Sequence, residues 1–307
     1  MTTATTTTER NETMTTTTTI TPDREATDAS VKKILSDNAK LRKLPNGEKI
    51  INAGIMMAPS KRSGFVNVCP HATRACILVC VLWFAGRTVT KTVRRAATAR
   101  TKLWYFFPDV FYSRLRKELS AMGKKAARVG CRAFCRLNTA SDIEHPSNLM
   151  REFPLVTFYD YSKSVERCRQ YGRGLAPENY FLSYSVSEES TFSDVRELLS
   201  LCVNMVVVVD SHYFGPLHRY GVIPAKVEFT SQDGSESITV DTVDGDIQDI
   251  RTPEFDGRGR AVILRAKGSA ELREKAKKLG FIFHHEGGEV WFANEYRSEG
   301  CCIVRLK

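Results

Sequence analysis

The chain has no apolar run long enough to cross a membrane as a helix. Its opening also lacks the basic-then-apolar order of a secretory leader, so nothing points to export. An even cysteine framework is missing too. The nine cysteines, an odd number in 307 residues, fit reduced cytosolic thiols better than a set of disulfides. Large apolar groups are almost absent from residues 1–28, a threonine tract broken by a few acids. Such a stretch cannot bury enough surface to offset chain entropy and is expected to be a disordered tail. Acids are scarce between Gly86 and Arg136, where Asp109 and Glu118 face fourteen Lys or Arg, a balance of +12. The whole chain carries +10, so the remainder sums to −2. A surplus held in so short a stretch makes a local positive field. That field suits an acidic partner, nucleic acid first and a phosphorylated small molecule second; the plainer reading is a solvated helix face.

What is present begins with three cysteines on one short loop. Cys69, Cys76 and Cys80 follow the spacing C-x6-C-x3-C directly before the basic stretch. Three thiolates there can hold a soft metal or an iron–sulfur cluster. Two other readings stay open: Cys76 and Cys80 as small hydrophobes on a core helix with Ile77, Leu78 and Val79, or a disulfide.

The body of the chain alternates. Strands are expected at 50–57, 133–138, 155–161, 180–186 and 205–210, with helices at 29–44, 88–103, 109–125, 146–153, 164–171 and 192–201. The run Met-Val-Val-Val-Val-Asp at 205–210 is apolar on both faces, as a parallel strand covered on each side would be. The fold class is therefore α/β: a partial (βα) barrel or a mainly parallel sheet. Residues 29–222 form its core. Residues 223–307 read as a β-rich extension of the same domain, with short strands at 227–230, 237–240, 261–264, 281–283, 290–293 and 302–306 and a helix at 270–279.

Ligands of such folds bind at the carboxyl ends of the strands. The cysteine loop follows the first strand and belongs at that rim. Asp142 and Asp210 each follow an apolar strand there and are candidate catalytic carboxylates, as general base or as nucleophile in base exchange; either could instead cap a helix. Ser183 and Ser185 are candidate cofactor contacts at the same rim. Arg87, Lys91, Arg94, Arg95 and Lys102 recur at helical spacing and form a candidate nucleic-acid stripe. Aromatics from Trp83 to Tyr112 are interleaved with them and could stack bases, although at least half must be core. Asp244, Asp246 and Asp249 could hold a hard cation or be a solvated turn.

Three cysteines leave one iron of a [4Fe–4S] cluster open to a small molecule. The placement of the loop is similar to that in radical S-adenosylmethionine enzymes, whose open iron holds the methionine end of the cofactor. The spacing differs from their common C-x3-C-x2-C. Zinc is the alternative, with His71 or His212 as a fourth ligand.

The chain also resembles the phage family named after actinophage gene product eighty-eight. The resemblance rests on Cys69-Pro70 through Cys76 and Cys80 with Ala85-Gly86, and on 137–142, 157–163, 179–187, 243–249 and 264–268. It covers roughly 43–268. One departure is Val81, where an aromatic residue is expected. The resemblance implies a phage origin, hence the host cytoplasm, and a shared site. Three functions compete. The first is an iron–sulfur, radical-type enzyme acting on nucleic acid or a nucleotide. The second is a zinc-stabilised barrel enzyme that exchanges or modifies DNA bases, and the third a non-enzymatic nucleic-acid-binding protein.

Overall fold

The computed structural model describes residues 22–37, 44, 46–85, 90–210, 223–280, 284–286, 289–291 and 303–306. Most of the threonine tract, Arg87, His212 and the strand expected at 281–283 lie outside these.

Ten strands share one sheet. They are β1 (Leu35–Asp37), β2 (Ile50–Ile55), β3 (Arg132–Arg136), β4 (Val156–Ser162), β5 (Tyr180–Ser185), β6 (Asn204–Val209), β7 (Lys226–Thr230), β8 (Ser237–Asp244), β9 (Ala261–Arg265) and β12 (Ile303–Leu306). A separate hairpin pairs β10 (His284–Glu286) with β11 (Glu289–Trp291). Strands β2 to β6 lie side by side in chain order and run parallel. Next to β6 comes β9, then β8, both parallel, while β1, β7 and β12 are antiparallel margins. The C-terminal stretch therefore completes the same sheet.

The helices are α1 (Arg24–Ala29), α2 (Arg74–Leu78), α3 (Val81–Phe84), α4 (Lys91–Phe106), α5 (Pro108–Arg128), α6 (Ser147–Arg151), α7 (Val165–Gly172), α8 (Phe192–Ser200), α9 (Pro253–Asp256) and α10 (Ala270–Lys278). Their starts are written locally. Thr90, Ser164, Thr191 and Ser269 each accept from a backbone N–H three residues on. Pro108 separates α4 from α5, because proline is welcome at a first helical position and not inside a helix.

The alternation of the strands sorts the core. Cys135, Phe158, Leu182, Met205 and Ile263 pack with Phe111, Leu115, Val195 and Leu198 of α5 and α8 in one large cluster. The intervening residues Phe134 and Tyr159 point the other way, into a smaller cluster with Ile50 and with Ile250 from beyond β8. One face of the sheet is thus covered by helices. The other is partly closed by the segment after β8 and, beside Val208, by Val79 and by Leu272 and Ala276 of α10.

One expected element is different. The polar helix at 29–44 is replaced by α1, which begins inside the expected disordered tail, and by an extended segment ending in β1. Tertiary partners override local propensity here. Val31, Ile34 and Leu35 are buried, and the Glu118 carboxylate accepts from the N–H groups of Ile34 and Leu35 at 2.8 and 2.9 Å. Arg114 adds bonds to the Asp28 carboxylate and to the carbonyls of Val31 and Lys32. Part of the basic stretch therefore anchors the N-terminal segment.

Candidate functional site

The loop between β2 and α4 is held from several sides. The Ala58 N–H donates to buried Thr101 at 2.9 Å, and the Asp142 N–H donates to the Val68 carbonyl at 2.8 Å. Thr73 caps α2 through the Cys76 N–H at 3.2 Å, and the Ala75 N–H donates to Glu188 from beyond β5 at 3.0 Å. Arg94 grips the far end of the loop: its guanidinium donates to the Trp83 carbonyl at 2.8 Å and lies 4.6 Å from the centre of the Trp83 ring.

So held, Cys69, Cys76 and Cys80 line one cavity of about 190 Å³ at the carboxyl ends of β3 to β6. Burial pushes the Cys69 thiol up to about 12, with the nearby Cys76 and Cys80 adding to it. Burial and then Cys76 raise Cys80 to about 11, against the N–H groups of Leu82 and Trp83 and the charge of Arg62. Cys76 is raised by burial too, partly offset by Lys163. The three thiols therefore sense one another and are protonated at neutral pH. A cation bound among them would displace those protons.

Their spacing bears on which cation. Two thiolates on one tetrahedral zinc stand about 3.8 Å apart, given Zn–S bonds of about 2.3 Å. Among the described residues no three His, Cys, Asp or Glu side chains are gathered for a single metal ion.

The opposite wall is polar. The Asp142 carboxylate accepts from the Ser162 hydroxyl at 2.7 Å, the Lys163 N–H at 3.0 Å and Arg167 at 2.5 Å. Lys163 Nζ reaches the Ser185 hydroxyl at 2.6 Å. Behind this wall Asn138 donates through its backbone N–H and side-chain amide to Asp160, at 2.8 and 3.1 Å. Burial nevertheless raises Asp160 to about 6, against the charges of Arg136 and Arg167. Arg136, at the end of β3, lies 4.3 Å from the centre of the Tyr161 ring, and both line the cavity.

Of the residues expected from the sequence, Cys69, Cys76, Cys80, Asp142 and Ser185 come together in this cavity. Ser183 is buried two residues earlier on the same face of β5. Asp210 is buried outside the cavity lining and forms an ion pair with Lys277 of α10. His71 is exposed and does not line the cavity. Lys91 and Arg95 are exposed on α4, Lys102 is half-buried, and Arg94 is turned toward Trp83. Asp244 and Asp246 are taken up by Arg265, with Lys267 also on Asp246. The aromatics divide as a buried–exposed mixture: Phe111 is buried, while Phe84 and Tyr105 are exposed.

Sequence reasoning missed Arg136 and Arg167. The available signal was a cation inside the strand Arg-Ala-Phe-Cys-Arg, whose period of two places Arg136 on the face of Phe134.

Fold and site together define an α/β protein with a mostly parallel sheet and a cysteine-lined cavity at the carboxyl ends of its central strands. The family described as gene product 88 matches residues 29–285, and the chain belongs to this phage family. Neither a curated protein nor a solved structure matches it. Among the described residues no helix is long and apolar enough to cross a membrane.

Proposed function

We propose that the protein is an iron–sulfur enzyme of the radical S-adenosylmethionine type, acting on nucleic acid or a nucleotide in the host cytoplasm. The observation that carries this reading is the convergence of three cysteines, from the loop after the first parallel strand, on a cavity at the strand ends. The donor set fits the group, because three soft sulfur ligands line one cavity. Cys69, Cys76 and Cys80 would hold three irons of a [4Fe–4S] cluster. When bound, the cluster would supply one-electron chemistry and an open iron for the methionine end of the cofactor.

The chain's own residues do the rest. The Asp142–Arg167 pair and Asn138 fix the turn after β3, so the wall facing the thiols is pre-organised. Ser185 and Lys163 offer polar contacts there, with Ser183 below them on the same face. Exposed Lys91 and Arg95, on the helix after the cysteine loop, would hold phosphates of a nucleic-acid partner.

The test is an absorbance spectrum from roughly 300 to 700 nm, the range in which iron–thiolate charge transfer absorbs, with iron, sulfide and zinc analysis, on protein purified without oxygen. A brown protein with a broad band near ~400 nm, lost in Cys69→Ala, Cys76→Ala and Cys80→Ala, is the expected result. A colourless protein with stoichiometric zinc would overturn it in favour of zinc-supported base exchange. A metal-free protein would return the cysteines to packing.

A further inference from the structure

The guanidinium of Arg136 lies over the Tyr161 ring. Among the described residues it makes no hydrogen bond and no ion pair, and its buried Nε has no partner. The hydrogen-bonding capacity of the acids at this end of the sheet is used elsewhere: Asp142 by Ser162, Lys163 and Arg167, and Asp160 by Asn138, although the Arg136 charge still favours ionised Asp160 from a distance. A partly desolvated guanidinium with no hydrogen-bonded acceptor is costly, and stacking on Tyr161 offsets only part of that cost. Folds keep such a group where a ligand completes it.

Its surroundings say what kind of ligand. Arg136 lines the same cavity as the three cysteines, and Lys163 lies on that cavity's flank, bonded to Ser185 at 2.6 Å. Farther along the sheet, on β6 and β9, the cavity wall is apolar, with Val206, Val208 and Leu264. Five fixed N–H donors in a planar fork match the oxygens of a phosphate or carboxylate, and the apolar wall suits a flat or aliphatic body attached to it.

We infer that Arg136, with Lys163 beside it, is the oxyanion anchor of the cavity, and that the substrate is a small molecule or chain terminus carrying a phosphate or carboxylate on an apolar body. This rests on reading the cavity as the active site and deepens that reading by naming the substrate class.

The test is calorimetric titration of the full chain in its metal-free form with inorganic pyrophosphate, adenosine 5′-monophosphate and glutarate, with uncharged adenosine as control. The expected result is binding of at least one oxyanion, weakened about tenfold or more in Arg136→Gln and less in Arg136→Lys. Adenosine should not respond to either change. Preference for the phosphates or for glutarate identifies which oxyanion the site takes. Thermal melting separates anchoring from support: Arg136→Gln should melt close to the wild-type temperature, because among the described residues the guanidinium makes no hydrogen bond or ion pair. Failure of every oxyanion to bind, equal binding by Arg136→Gln, or a clear fall in its melting temperature would overturn the inference. Because the titration uses metal-free protein, a colourless preparation would sink the cluster and leave this result standing, and the reverse also holds.

Discussion

Arg167 and Asp142 form a 2.5 Å ion pair in which the side chains are only 12% and 11% exposed. That pair joins α7 to the turn after β3 and so fixes the wall of the cavity. Arg167→Met would strand a buried carboxylate and should cost about 3–5 kcal/mol in chemical denaturation. Arg167→Met combined with Asp142→Asn should recover a substantial share of it. An unchanged denaturation midpoint in Arg167→Met would mean that the pair carries no stability.

Asp160 makes stability depend on pH. Burial raises its folded value from 3.8 to about 6, so the folded state binds a proton more readily than the unfolded chain. Its contribution is therefore most favourable below about pH 4 and is lost as pH rises through 6. In Asp160→Asn that decline should vanish. The stability of the variant relative to wild type should climb by about 2–3 kcal/mol between pH 4 and 7 in urea melts. A difference that stays constant over this window would refute the assignment.

The other buried thiols give the cluster reading its control. Cys135 and Cys168 lie in the helix-covered core, and burial raises both thiols strongly. Cys135→Ala and Cys168→Ala should keep full iron content and lose about 1 kcal/mol of stability. Iron loss in either one, measured beside the three loop variants, would show that cluster loading tracks stability rather than ligation.

Gly54 lies where β2 ends against β3. A Cβ there would stand 2.3 Å from Thr139 Oγ1 and 2.9 Å from the Arg136 carbonyl. Gly54→Ala should destabilise by about 1–3 kcal/mol. Adding Thr139→Ala should relieve only part of this, since the backbone contact persists. Thermal melting of the single and double variants would decide it, and a neutral Gly54→Ala would count against this packing.

Among the described members of the basic stripe, Lys91 and Arg95 are exposed, whereas Arg94 supports the cysteine loop. Lys91→Ala with Arg95→Ala should weaken binding to a DNA oligonucleotide and lower the salt slope by about 2, one per lost phosphate contact. Arg94→Ala should instead reduce iron content. Equal effects of all three changes on the salt slope would mean that Arg94 also faces the nucleic acid.

The sequence alone determined the order of strands and helices from 50 to 210 and the position of the cysteine loop at the sheet's rim. Those features are local: apolar runs, capping hydroxyls and proline are read within a few residues. Tertiary structure decided whatever depends on a distant partner. It turned 31–37 from a helix into an extended segment ending in the edge strand β1 by offering Glu118 and Arg114. It drew Asp210 to Lys277 and away from the cavity. It inserted β9 beside β6 ahead of β7 and β8, an order no local pattern encodes. It also left Arg136 stacked on Tyr161 with no ion pair among the described residues. Which charges neutralise one another depends on chain segments far apart in sequence, and only the folded sheet brings those segments together.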